Sequence, residues 1–165
     1  MKIIVPSPER NPSNEFSQVE SEFRELEKIC AQGKSCLEIG SLYGGSAKRL
    51  AEAMPGGGKM VCVDLGFEPL KKGWVTLPSL LSRLSSVQDR DVTLIIGSSS
   101  SPDVRAAVTA LGPFDLVFID GGHSIETIRS DYDKLKDNNV IVMDDWYMPE
   151  NGKPDVTKFG VNAAV

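Results

Sequence analysis

Five short apolar runs, SCLEIG (35–40), KMVCVD (59–64), DVTLIIG (91–97), FDLVFID (114–120) and VIVMDD (140–145), recur along the chain with helical segments between them. Few folds accept that order. A strand with one face in water alternates apolar and polar residues, whereas these runs are continuously apolar and therefore need cover on both faces. Strands that alternate with helices then imply a parallel sheet carrying helices on each side, a doubly wound α/β fold.

The segments between the runs read as helices with recognisable ends. The first is expected after Pro12, capped by Ser13 or Asn14, with Phe16, Val19, Phe23, Leu26 and Ile29 at three- and four-residue steps and Gly33 as its stop. A second runs from Ser46 to Met54 and ends at the PGGG of 55–58. The long 65–91 connection holds Gly66, Pro69, Gly73 and Pro78 before a stripe of Leu80, Leu81, Leu84 and Val87, and such a connection is expected to carry specificity rather than scaffold. Pro102 to Leu111 is opened by Ser101-Pro102 and closed by Gly112-Pro113. The last helix spans about Ser124 to Lys136, after which Asn138-Asn139 turns the chain. A length of 165 residues fits one domain, with a helical segment over 1–33 and the α/β core over 34–165.

Composition narrows the partners. Eighteen Lys and Arg against 23 Asp and Glu leave a net charge of −5, which provides no electrostatic footprint for phosphate backbones or anionic lipid. Neither nucleic acid nor a membrane is an expected partner. The apolar run before Pro6 is too short for a signal-peptide core, and no stretch approaches the ~20 apolar residues of a spanning helix, so a cytoplasmic protein is expected. Cys30, Cys36 and Cys62 fall in or beside apolar segments without CxxC spacing, which reads as buried, reduced thiols.

In doubly wound sheets ligands bind beyond the carboxyl ends of the strands, near the point where strand order reverses. The unusual residues fall there: Glu38 and Gly40, Asp64, Gly97 and Ser98, Asp120 and His123, Asp144 and Asp145. Gly40 and Gly44 flank a turn of GxxxG spacing, not the GxGxxG that cradles a dinucleotide pyrophosphate, so a nucleotide-linked oxidoreductase is disfavoured. Glu38 suits a cationic ligand, and Asp64 can accept ribose hydroxyls. Structural readings stand beside these: a tight turn for the glycines and a helix cap for Asp64.

Asp120, Asp144 and Asp145 end two strands expected to be neighbours, where like charges repel unless a cation bridges them. Oxygen ligands favour magnesium, calcium or manganese over zinc. His123 is the only histidine, and an imidazole there could take the proton of a hydroxyl bound at the cation. Helix capping and solvated turns are the alternatives for these residues. Asp131 and Asp133, inside a helix, read as surface charges. Trp74, Trp146 and Tyr147 could line an acceptor pocket or simply cover the sheet end.

The glycine turn with Glu38 and Asp64 resembles the class I S-adenosylmethionine-dependent methyltransferases over roughly 35–146. The block FDLVFIDGGHSIETIRSDYDKLKDNNVIVMDD (114–145) is similar to the branch holding macrocin-type sugar O-methyltransferases and cephalosporin-hydroxylase-like proteins. The resemblance implies a core of strand order 3-2-1-4-5. It implies roles for Glu38, Gly40, Gly44 and Ser46 near the methionine tail, Asp64 at the ribose, Ser98 and Ser99 beside adenine, and Asp120 bordering the cofactor. It further implies a divalent cation, magnesium by preference, on Asp120, Asp144 and Asp145, with His123 and Asp120 at the catalytic centre.

The implied activity is methyl transfer to a hydroxyl of a small molecule, a sugar or natural product. One departure stands out: the loop after the third strand is commonly Gly-Asp-Ser in the family and is Gly97-Ser98-Ser99 here. That substitution keeps open a catalytically degenerate, cofactor-binding module. Two further strands usual in the family have no counterpart before Val165, so a truncated core is expected, with 140–143 as an edge strand that a second copy could cover.

Overall fold

The computed structural model describes residues 20–67, 75–122 and 124–144. Among the described residues, helix α1 (Glu20–Cys30) precedes strands that alternate with helices: β1 (Ser35–Ile39), α2 (Gly45–Ala53), β2 (Lys59–Asp64), α3 (Leu77–Ser85), β3 (Asp91–Ile96), α4 (Pro102–Leu111), β4 (Leu116–Ile119), α5 (Ile125–Leu135) and β5 (Val140–Met143). The sheet order is β3-β2-β1-β4-β5 and every pairing is parallel, as expected.

Alternate residues of the central strands feed two separate cores. Cys36, Met60, Cys62, Leu116 and Phe118 face α1, α2 and α3, where Phe23, Leu26, Leu50, Leu77 and Leu80 cover them. Leu37, Ile39, Val61, Val63, Val117 and Ile119 face α4 and α5, meeting Val104, Val108 and Leu135. Burying such a side chain is worth about 1.5–3 kcal/mol, and a strand that does so on both sides has no face left for water. Phe23 meets the edge of Phe118 with ring centroids 6.3 Å apart. Arg49 lies over the Phe23 ring and binds Glu20 and Glu27 at 2.7 and 2.8 Å, tying α1 to α2.

Local chemistry explains most element ends. Ser101 accepts from the Val104 amide and Ser124 from the Thr127 amide, so both helices begin on a side-chain cap. β4 is shorter than its apolar run. Asp115 turns its carboxylate to the Lys34 and Ser35 amides, and the Phe114 amide is taken by Asn138 Oδ1. Val87 falls beyond α3, though it still packs against the core. Cys30, Cys36 and Cys62 are free and buried; the Cys30 thiol and burial push the Cys36 thiol well above its ordinary range. β5 is an edge of the described sheet and Val140 is exposed. Among the described residues no helix is long and apolar enough to cross a membrane. The expected helix start at Ser13 or Asn14, with Phe16 and Val19, and the aromatics Trp74, Trp146 and Tyr147 lie outside the described residues.

Candidate functional site

The residue that follows each of β1, β3, β4 and β5 continues the backbone ladder to a neighbouring strand. Gly40 donates to Val63 O, Gly97 to Asp64 O, Asp120 to Ile39 O and Asp144 to Ile119 O, at 2.8 to 3.0 Å. These bonds draw the expected residues into one row along the carboxyl edge. The chain order reverses between β1 and β4, so the turn after β1 sits beside the switch point where doubly wound sheets bind ligands.

Glu38 lies under that turn on the α1–α3 side, fully buried. Neither of its carboxylate oxygens has a hydrogen-bond partner of ordinary geometry, and the buried hydroxyls of Ser41 and Thr76 are likewise unpartnered. Burial pushes the Glu38 carboxyl up to about 7. The nearby Ser41 and Ser46 hydroxyls oppose the shift and the Asp64 charge adds to it. An unpaired buried carboxylate is costly, and a cationic group that donates hydrogen bonds is the chemical species that would satisfy it. On this observation the residues present fit an amino-acid ammonium.

Asp64 is treated differently. Its Oδ2 accepts from the Ser41 amide at 3.0 Å and the Leu42 amide at 2.8 Å, and its Oδ1 accepts from the Gly66 amide at 2.6 Å. The Gly66 carbonyl in turn accepts from the Thr76 and Leu77 amides at the start of α3. Asp64 thus clamps the glycine turn to the end of β2. A carboxylate has about four acceptor sites, so any ribose contact shares this group with the loop.

The glycines have tertiary reasons. A Cβ on Gly40, whose φ is +90°, would lie 2.1 Å from the Asp120 carbonyl oxygen, and one on Gly44, at φ +81°, would lie 2.8 Å from Leu80 Cδ1. Close approach of backbone is needed, but to the β4 tip and to α3. That packing requires glycine at both ends of a tight turn, whatever the turn borders. Ser46, in the first turn of α2, is buried beside Glu38.

On the other face, Ser99 Oγ donates to Asp131 Oδ2 at 3.0 Å. Asp131 is 4% exposed, which corrects its reading as a surface charge. Ile128, Asp131 and Leu135 follow one another at helical spacing and are the buried residues of α5, so the acid occupies the apolar stripe. That spacing was the available signal. Burial raises the Asp131 carboxyl, against Ser99 and the Arg105 charge. Arg105 donates to the Ser99 carbonyl and to Ser130 Oγ. A small cleft of about 70 Å³ between α4 and α5 is bordered by Ile39, Ser99, Val104, Arg105, Asp131 and Leu135. Ser98, by contrast, is exposed and pairs with Ser100 Oγ at 2.7 Å.

Asp120 and Asp144 stand at the ends of adjacent strands, both half-buried. His123 and Asp145 lie outside the described residues. Among the described residues no three His, Cys, Asp or Glu side chains are grouped to hold a metal ion; two of the three expected ligands, Asp120 and Asp144, follow paired strand ends.

Comparison with known proteins agrees with this layout. Residues 37–146 match a family model described as a methyltransferase domain, while no curated protein matches the chain. The O-methyltransferase TomG from Streptomyces achromogenes, involved in tomaymycin synthesis and solved with SAM, superposes with a TM-score of 0.56 at 21% identity, covering 77% of this chain and 56% of its own. An O-methyltransferase from Bacillus cereus in complex with SAH gives 0.51 at 19% identity over 73% of this chain and 52% of its own. MycE methyltransferase from the mycinamycin biosynthetic pathway, in complex with Mg, SAH and mycinamycin VI, gives 0.50 at 19% identity over 76% and 31%. The chain spans about half the length of the first two structures and a third of the last. Likeness at such identity speaks to the fold, and the family match spans two thirds of the sequence: the chain belongs to the methyltransferase-domain family and carries the fold of S-adenosylmethionine-dependent methyltransferases.

Proposed function

We propose that the chain is the cofactor-binding core of an O-methyltransferase that moves the methyl of S-adenosylmethionine to a hydroxyl of a small molecule, a sugar or natural product, in the manner of the macrocin-type branch. The buried, unpartnered Glu38 carboxylate beneath the turn at the switch point carries the reading. It is a binding group without a ligand of its own in the fold, and it suits the ammonium of a methionine tail. In this reading Gly40, Gly44 and Ser46 shape the turn over that tail, Asp64 borders the ribose while holding the loop, and Ser98 and Ser99 border the base. S-adenosylmethionine supplies an electrophilic methyl, and the protein's contribution to an in-line displacement is mainly positioning.

Asp120 and Asp144, with Asp145, would hold a divalent cation, which makes a hydroxyl bound to it more acidic. His123, three residues beyond Asp120, would take the proton. A cytoplasmic location and a second copy covering the β5 edge complete the proposal.

Calorimetry with S-adenosylhomocysteine and with NAD tests the cofactor: binding of the first and not the second is expected, and the reverse would end the reading. Methyl transfer to a library of hydroxyl compounds, with and without chelator, tests the chemistry. His123→Ala is expected to slow transfer by about 10²–10⁴-fold, the usual worth of a general base, with S-adenosylhomocysteine bound as tightly as by the parent. The loop Gly97-Ser98-Ser99, without the family's carboxylate, favours a second reading as a binding module; cofactor binding with no transfer to any hydroxyl would select it.

A further inference from the structure

The cleft between α4 and α5 lies on the sheet face away from Glu38, with Ile39 at its floor and Val104, Val108 and Leu135 along its walls. At about 70 Å³ it has room for roughly five to seven water-sized groups, which suits a small ligand and is too little for a nucleotide. Its polar residues differ in depth. Asp131 is buried, Arg105 is half-buried and Lys134 is exposed.

Asp131 Oδ2 accepts from Ser99 Oγ at 3.0 Å, and Oδ1 has no hydrogen-bond partner among the described residues. The side-chain oxygens of those residues that are both sealed and unpartnered belong to Glu38, Ser41 and Thr76. Asp131 Oδ1 is not one of them, and the cleft is the space it borders. Arg105 donates from Nε to the Ser99 carbonyl and from Nη2 to Ser130 Oγ, which leaves Nη1 without a partner among the described residues. Lys134 likewise has no ion pair among them.

A buried carboxylate with an idle oxygen calls for a donor. A simple cation that came to it would meet the charges of Arg105 and Lys134. A simple anion would suit those two and meet the charge of Asp131. A zwitterion answers both, and the apolar walls leave the rest of it to be hydrocarbon. We propose that the α4–α5 cleft binds a small apolar α-amino acid, its ammonium on Asp131 Oδ1, its carboxylate toward Arg105 and Lys134, and its side chain against Val104, Val108 and Leu135. The inference does not depend on the cofactor reading and stands or falls without it.

The test is titration of the full chain with L-valine, followed by calorimetry and by amide NMR shifts. An affinity of about millimolar is expected, the range open to so few atoms, with shifts centred on α4 and α5. Isovalerate, which lacks the ammonium, and isobutylamine, which lacks the carboxylate, should each bind at least about tenfold more weakly. Asp131→Asn keeps the shape and the acceptor for Ser99 but removes the charge, and should weaken L-valine by about tenfold. Lys134→Glu reverses an exposed charge, so it should fold as the parent does and weaken binding by about threefold, more at low salt. That variant keeps the test decisive if Asp131→Asn does not fold. No binding at tens of millimolar, shifts that fall elsewhere in the chain, or an affinity that neither variant changes overturns the proposal. Isobutylamine binding as well as L-valine also overturns it, since the rim would then take no carboxylate.

Discussion

Glu38 and Asp64 occupy adjacent parallel strands, and both are all but closed to solvent. Their carboxylates nevertheless live in opposite surroundings. Asp64 accepts three backbone amides and holds the glycine turn against the start of α3. Glu38, on the next strand, has no hydrogen bond of ordinary geometry and a carboxyl raised to about 7 by burial. One acid is tied into the scaffold of the site, and the other is left without donors from it. Two acids at the ends of neighbouring strands look equivalent in a sequence; what separates them is whether the fold supplies donors.

The strongest challenge to that division is Asp64→Ala. Three amides lose their acceptor in a largely buried place, and each orphaned buried donor costs about 1–3 kcal/mol. A loss of about 3–5 kcal/mol in stability without any cofactor present is expected in denaturant unfolding, since the exposed part of the loop recovers some bonds from water. Should the variant unfold at the parent's denaturant midpoint and lose only S-adenosylhomocysteine affinity, Asp64 would be a ligand group and the contrast with Glu38 would collapse.

Glu38→Gln probes the other side of the comparison, with the opposite sign. The folded carboxyl at about 7 lies above the ordinary 4.5. Between those values the folded chain binds more protons than the unfolded one, so stability falls as pH rises from about 4.5 to 7 and the penalty is complete above 7. The size is about 3 kcal/mol. Glu38→Gln should remove that slope and make the ligand-free chain more stable than the parent at pH 8, by about that amount. Affinity for S-adenosylhomocysteine should rise with pH through this window in the parent, because an ammonium favours the ionised carboxylate. In Glu38→Gln it should be flat and weaker by tenfold or more, as for a lost bond between charged groups. A parent whose stability and affinity do not change from pH 5 to 8 would show that Glu38 has partners after all.

The same contrast marks how far the sequence could be read. The parallel strands followed from uniformly apolar runs and their order from the resemblance, and α4 was legible to the residue because Ser101-Pro102 and Gly112 are end signals that act locally. Gathering Glu38, Gly40, Asp64, Asp120 and Asp144 along one edge followed from the fold. The partners of each group did not. Asp64 takes the Ser41 and Leu42 amides in a turn where Leu42 adopts a positive φ of 46°, a conformation no side-chain pattern announces. Gly40 answers to Asp120 and Gly44 to Leu80, neighbours some 80 and 36 positions away in the chain. Asp131 looked like solvent-facing charge because charge in a helix usually is; its place on the Ile128–Leu135 stripe outweighs that habit once Ser99 and Arg105 give it partners.

The smallest expected effect sharpens the comparison most finely. Ser46 is buried in the first turn of α2, and its hydroxyl is one of two that favour the ionised form of Glu38. Alanine fits the same space and is the better helix former by about 0.5 kcal/mol, so Ser46→Ala should fold at least as well as the parent at pH 5, where Glu38 is protonated in either chain. Its consequence appears only as Glu38 ionises. With one hydroxyl removed, desolvation is opposed by Ser41 alone, and the upper midpoint of the stability profile should move above about 7. Unfolding followed from pH 5 to 9 reads this directly. A profile that coincides with the parent's would place Ser46 outside the reach of Glu38, whereas an upward displacement would show that the fold gives Glu38 just two weak hydroxyls where it gives Asp64 three committed amides.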